Sequence, residues 1–245
     1  MKCLKIFSVI ILTLSLIMLS VSANIPKATN DTQLQFSDIS GHWAEETILK
    51  WRDEGIVNGY PDGTFRPDAY ITRAELAKII TLAFGFEIPD ENANGFNDVA
   101  ADAWYYDYVN AASAYIPSYC PPDLVEATRP YENLRDAFLP DNPALRIHAA
   151  GAFAAAKIEH DSLIIEYPTI QEINKAVTGR FSDVEFINLY AMRGSIPVNV
   201  KKFQTDAWLV SELGLMQGDP NGCFRPYGAL TRAEVLTIID RCLTD

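Results

Sequence analysis

Histidine and cysteine are scarce in this chain, with three and four in 245 residues. His42, His148 and His160 lie far apart and make no metal-ligand spacing with cysteines or acids. Cys3 belongs to the extreme N-terminus, and Cys120, Cys223 and Cys242 remain as an odd set, which excludes a disulfide scaffold. Basic residues are also short: 20 Lys and Arg face 32 Asp and Glu, a net charge of −12. So acidic a chain is a poor non-specific partner for nucleic acid and is repelled at long range by anionic polymers, so an anionic ligand must be held by local cations and backbone donors. No Gly-x-Ser-x-Gly elbow, phosphate loop or dinucleotide fingerprint occurs. Asp62-Gly63 and Asn221-Gly222 do not open calcium loops, because counting from Asn58 puts Ala69 where a loop of that kind needs its last acid. They read as tight turns. The expectation is a non-enzyme with neither cofactor nor metal.

Long apolar runs are missing except at the start. Lys2 and Lys5 precede Ile6 to Leu19, which is nearly free of polar side chains, and Val21-Ser22-Ala23 closes the stretch. The run is short for a span of about 20 residues. It reads as a secretory signal peptide over residues 1–23, cleaved after Ala23, rather than as a retained anchor. Its loss removes two lysines and no acid, so the mature chain is more acidic still. Residues 24–35 read as a linker.

What the chain does have is a repeat. Residues 55–80 and 214–239 align without a gap, and half of the aligned positions are identical. The shared set includes Gly55/Gly214, Gly59/Gly218, Gly63/Gly222, Phe65/Phe224, Pro67/Pro226 and Thr72-Arg73-Ala74-Glu75/Thr231-Arg232-Ala233-Glu234. A head occurs three times, as Phe36-Ser37-Asp38-Ile39, Phe96-Asn97-Asp98-Val99 and Phe181-Ser182-Asp183-Val184. This divides the chain into repeat 1 (36–95), a divergent repeat 2 (96–160), a linker (161–180) and repeat 3 (181–245). Repeat 2 keeps Trp104-Tyr105-Tyr106 and Val109, then runs into a proline-rich insertion from Tyr115 to Asn142 that carries Cys120. Its tail survives as a helix-like stretch from Arg146 to Ala154. Repeat 3 has an insertion after its head. Residues 161–179 mix apolar and polar positions and read as a helix bridging repeats 2 and 3.

Each unit reads as helix, loop, helix. Ala44, Ile48 and Trp51 fall on one helical face, Gly55 stands where a left-handed cap would end that helix, and Phe65 would plug the loop onto the core. Thr72 with Glu75, and Thr231 with Glu234, have the spacing of a capping box. The caps leave Arg73 and Arg232 unexplained, since a cation at a helix start faces the positive end of the dipole. Two readings stay open. Each arginine could join exposed first-turn amides in an anion site, or pair with a carboxylate such as a head aspartate.

These motifs resemble the surface-layer-homology (SLH) family: the Phe-x-Asp-Val/Ile head, the Trp-containing helix, the Gly-rich loop ending Phe-x-Pro, and Thr-Arg-Ala-Glu. Repeat 1 matches from Phe36 to about Phe84 and repeat 3 from Gly214 onward, while repeat 2 and residues 185–203 match weakly. The resemblance implies an all-α fold of three repeats around a pseudo-threefold axis. It implies non-covalent attachment to an anionic, often pyruvylated, secondary cell-wall polysaccharide at the surface of a bacterium. Ligand grooves would lie between repeats, one pairing Arg73 with Asp102 to Trp104 and another pairing Arg232 with His42 and Trp43. Gly59 and Gly218 would admit the ligand to the backbone, and Trp43 and Trp104 would either stack on sugar or pack in the core. The third groove should be defective, because repeat 2 offers Arg146 or His148, depending on alignment, and no matching Glu. Two functional grooves at most are expected. An alternative of another class is a surface adaptor whose divergent repeat holds a second protein.

Overall fold

A computed structural model of the chain describes residues 36–89, 95–116, 137–184 and 199–244. The expected signal peptide and linker, Cys120 with most of its insertion, and residues 185–198 after the third head lie outside the described residues.

The expected all-α fold is what the structure shows. Its helices are α1 (Glu45–Asp53), α2 (Arg73–Phe84), α3 (Tyr106–Ala112), α4 (Arg146–His160), α5 (Ile170–Arg180), α6 (Asn199–Glu212) and α7 (Arg232–Leu243). Among the described residues β-pairing is confined to isolated bridges. Ala44, Ile48 and Trp51 are buried together, and Gly55 follows with φ +75°, the left-handed backbone that glycine adopts at least cost. Both predicted capping boxes form. Thr72 Oγ1 accepts from Glu75 N at 3.2 Å while Glu75 accepts from Thr72 N at 2.9 Å, and Thr231 and Glu234 repeat this at 3.2 and 2.8 Å. The start of α4 has Leu145 instead and makes no side-chain cap. The bridging stretch is helical only from Ile170, where Thr169 and Glu172 build a third capping box.

The heads hold the loops by one device. Asp38 accepts the amides of Phe65 and Arg66 at 2.7 Å each. Asp98 does the same for Phe138 and Leu139, and Asp183 for Phe224 and Arg225. The second residue of each pair has positive φ: Arg66 60°, Leu139 54°, Arg225 55°. That conformation is uncommon for a side-chain-bearing residue. A charged acceptor on its amide and that of its neighbour offsets the strain. Phe138-Leu139-Pro140 is thus the repeat 2 counterpart of Phe65-Arg66-Pro67.

Three backbone bonds close a ring between the repeats. Ile71 N donates to Leu230 O (2.9 Å), Leu230 N to Ala144 O (3.0 Å) and Ala144 N to Ile71 O (2.9 Å). One residue from each repeat takes the same place in this ring, so it marks the pseudo-threefold axis. The second helices α2, α4 and α7 pack on one another around the axis. Each also packs on the first helix of the next repeat: α2 on α3, α4 on α6, α7 on α1. Leu76, Ile80, Ile147, Phe153, Leu236 and Ile239 are wholly buried there. Helix α5 lies against α6.

Candidate ligand-binding grooves

The ring fixes the register that the sequence left open. Thr72-Arg73-Ala74-Glu75 corresponds to Leu145-Arg146-Ile147-His148, so Arg146 is the arginine of repeat 2 and His148 occupies the glutamate position. Each arginine reaches out of its own repeat. Nε of Arg73 donates to Phe138 O (2.6 Å), Nε of Arg146 to Phe224 O (2.9 Å), and Nε of Arg232 to Phe65 O (2.9 Å). Arg232 also bonds Glu75 Oε1 (2.7 Å) and Asn58 O (3.2 Å). Arg146 repeats this more loosely with Glu234 Oε1 (3.5 Å) and Gln217 O (3.3 Å). Arg73 is wholly buried, with Nη1 3.5 Å from His148 Nδ1.

These contacts correct the anion-site reading of the helix starts. The first-turn amides are occupied: Arg73 N bonds Asn142 O, Ala74 N bonds Pro140 O, and Arg232 N and Ala233 N bond Ala69 O and Pro67 O. The carboxylate beside Arg232 is the capping Glu75 of the neighbouring repeat rather than a head aspartate. The motif arginines are inter-repeat bolts, and their burial is sustained by charge-assisted bonds to loop carbonyls.

Two open grooves follow from this frame, and their pairing differs from expectation. The first, about 170 Å³, is lined by Asn58, Gly59, Tyr60, Lys78, Trp104 and Arg232 among others. The second, about 470 Å³, includes Trp43, Tyr70, Arg146, Gly218, Asp219 and Arg241. Trp104 therefore stands with Arg232 rather than with Arg73, and Trp43 with Arg146 rather than with Arg232. The physical reason is that each arginine crosses into the loop of another repeat and leaves its own helix face. Trp43 is 64% exposed and Trp104 58%, so neither is a core residue.

The remaining predicted residues are placed as follows. His42 Nδ1 accepts the amide of Ala44 (3.1 Å), Nε2 lies 3.3 Å from Asp68 Oδ1, and its ring leans on Trp43 at 5.2 Å. It positions the tryptophan. Asp102 is exposed beside Trp104 but outside the lining of either groove. Gly59 and Gly218 line the grooves, yet a Cβ at Gly59 would collide with the Phe36 ring and Thr64 O, and at Gly218 would meet the Phe181 ring at 2.9 Å. Packing of the head alone therefore requires glycine at both positions.

The grooves differ electrostatically. In the first, burial pushes the Tyr60 hydroxyl up more than Arg232 beside it pulls it down. In the second, Asp219 stands in Tyr60's place and is held below the usual carboxylate range by the amide of Cys223, with help from the Asn221 amide and Arg225. The third junction differs among its described residues. Arg73 and His148 are buried there, and Phe203 leans on the His148 ring at 5.9 Å. By register Phe203 replaces Ala44, and Lys202 replaces Trp43. Reading the sequence alone missed Tyr70, Lys78 and Arg241 and left Arg146 ambiguous. Aligning Phe138-Leu139-Pro140 with Phe65-Arg66-Pro67 was the available signal for Arg146.

The repeats that build these grooves are matched among known proteins. The family model described as the S-layer homology domain matches residues 35–77 and 209–236. The chain is 41% identical over 93 residues to a surface-layer 125 kDa protein of Lysinibacillus sphaericus, covering 38% of this chain and 8% of that protein. It is 30% identical over 205 residues to an amylopullulanase of Thermoanaerobacterium thermosulfurigenes, covering 83% of this chain and 9% of the enzyme. It is 38% identical over 76 residues to a cellulosome-anchoring protein of Acetivibrio thermocellus, covering 31% and 17%. The chain therefore spans less than a fifth of each of these relatives.

Proposed function

The chain is built from S-layer homology repeats, and we propose that it attaches non-covalently to the bacterial cell wall by binding an anionic, pyruvate-bearing secondary wall polysaccharide in its two open grooves. The observation that carries this reading is the equivalent placement of Trp43 and Trp104. Each is more than half exposed at the edge of a groove that also contains cationic side chains. An indole offers a face for a sugar ring, and an ammonium or guanidinium offers charge-assisted bonds to a ketal carboxylate. Both are needed in a chain of net charge −12, where long-range attraction to a polyanion is absent. The similarity to a surface-layer protein and a cellulosome-anchoring protein supports the same assignment. On this reading the protein is a secreted binding module at the cell surface, not an enzyme.

Co-sedimentation with purified wall sacculi tests it. Binding should require the acid-extractable polymer and should be lost in the Trp43→Ala, Trp104→Ala double variant while the fold persists by circular dichroism. Equal binding to extracted and intact sacculi would contradict the proposal.

A further inference from the structure

The two grooves carry their spare cation at different depths. In the first groove Arg232 is engaged by Glu75, and Lys78 has no carboxylate partner among the described residues. In the second, Arg146 faces Glu234 and Arg225 faces Asp219 at 2.6 Å, while Arg241 bonds only the carbonyl of Leu215 at 3.0 Å. Lys78 and Arg241 are not equivalent positions. The repeat register aligns Lys78 with Thr237, and Arg241 with Leu82. The cation has moved four residues along the helix, about 6 Å.

The aromatic platform has not moved. Trp43 and Trp104 occupy matching positions at the starts of α1 and α3. In both junctions the contacts place the ends of the neighbouring helices together: Lys50 near the end of α1 bonds Asp240 near the end of α7 (2.6 Å), while Tyr108 O in α3 accepts from Thr81 in α2 (3.2 Å) and Tyr115 beyond α3 stacks on Phe86 beyond α2 (4.3 Å). By register the spare cation therefore starts about 6 Å farther along the helix from the tryptophan level in the second groove, close to one pyranose unit of a glycan chain. The second groove is also more than twice as large and adds a further aromatic ring, Tyr70, 64% exposed.

We propose that the two grooves read different lengths of the same polymer. The first, through Lys78, takes a single acidic sugar. The second, through Arg241 and Tyr70, takes a longer segment with its acidic group one sugar farther from the tryptophan. This rests on the wall-polymer reading above and adds to it the residues that set segment length. It also gives the chain two non-interchangeable contacts with one strand.

Calorimetry on single-groove proteins tests the inference, using the single acidic sugar and the acidic trisaccharide released from wall polymer by mild acid. The Trp43→Ala protein, with only the first groove intact, should bind both fragments equally, and Lys78→Ala should weaken both about tenfold or more. The Trp104→Ala protein should prefer the trisaccharide about tenfold, and Arg241→Ala should erase that preference. Thr237→Lys with Arg241→Leu should give the second groove the preference of the first, a gain that a damaged fold could not produce. The same fragment preference in both grooves, or indifference to Arg241→Ala, overturns the inference and leaves the wall-polymer reading standing. Binding of neither fragment by the unaltered protein overturns both.

Discussion

Two of the three junctions between repeats hold an open groove, and among the described residues the third buries its arginine and a histidine, on the same backbone frame. All three keep the head aspartate on two loop amides, the arginine on a loop carbonyl, and a share in the hydrogen-bonded ring. The third junction has His148 where the open ones have Glu75 and Glu234. It has Phe203 where repeat 1 has the small Ala44, and by sequence register Lys202 in place of Trp43. What the three junctions share is therefore what folds the molecule. What differs is what a ligand could meet. The motif arginine belongs to the first class through its loop bond, and at the two grooves Arg232 and Arg146 also line the space a ligand would enter.

The largest expected effect sharpens that division. Arg73→Ala removes a wholly buried guanidinium from the third junction and leaves Phe138 O without its donor. It should lower unfolding stability by about 3 kcal/mol or more in denaturant titration. Polymer affinity of the protein that remains folded should be unchanged. A loss of affinity with stability intact would break the comparison by making Arg73 a ligand residue.

The head aspartates come next. Asp98→Ala in the divergent repeat should cost as much as Asp38→Ala in repeat 1, about 2–3 kcal/mol each, because each frees two loop amides from a carboxylate. A much smaller loss for Asp98 in thermal melts would show that repeat 2 no longer depends on the shared frame. Smaller again is the cap. Thr231→Ala should cost about 1 kcal/mol, whereas Leu145→Ala in the uncapped repeat loses no hydrogen bond and only apolar contact.

Acid should act on the loops of the open junctions. Asp62 is pulled to about 2 by hydrogen bonds from the Thr64 hydroxyl and from Arg66, and Asp219 is lowered as well. A carboxyl lowered on folding binds fewer protons than in the unfolded chain. Its contribution is full above the ordinary carboxylate value and declines as pH falls through the folded value. Stability should therefore fall from about pH 4 toward pH 2, and Asp62→Asn should flatten part of that slope. An unchanged profile in that variant would remove Asp62 from the account.

Much of this fold could be read in the residues because its local rules agree. The apolar spacing of Ala44, Ile48 and Trp51, the Thr-x-x-Glu boxes and the loop glycines each specify the same element. The all-α threefold arrangement was what the family resemblance implied. The pairing across grooves could not be read, because it depends on which way an arginine leaves its helix, and that is set by loop carbonyls of another repeat. The packing demand on the glycines was hidden for a similar reason: the Phe36 ring that fills the space beside Gly59 is 23 residues away in the chain. Lys78 and Arg241 escaped notice because each breaks the repeat instead of sharing it.

The central claim, that two junctions bind wall polymer and the third does not, is tested most directly by counting sites. Titration of the protein with the acidic trisaccharide in a calorimeter should give two equivalents bound per chain, falling to one in either Trp43→Ala or Trp104→Ala. Three equivalents, or two that survive both substitutions, would contradict it.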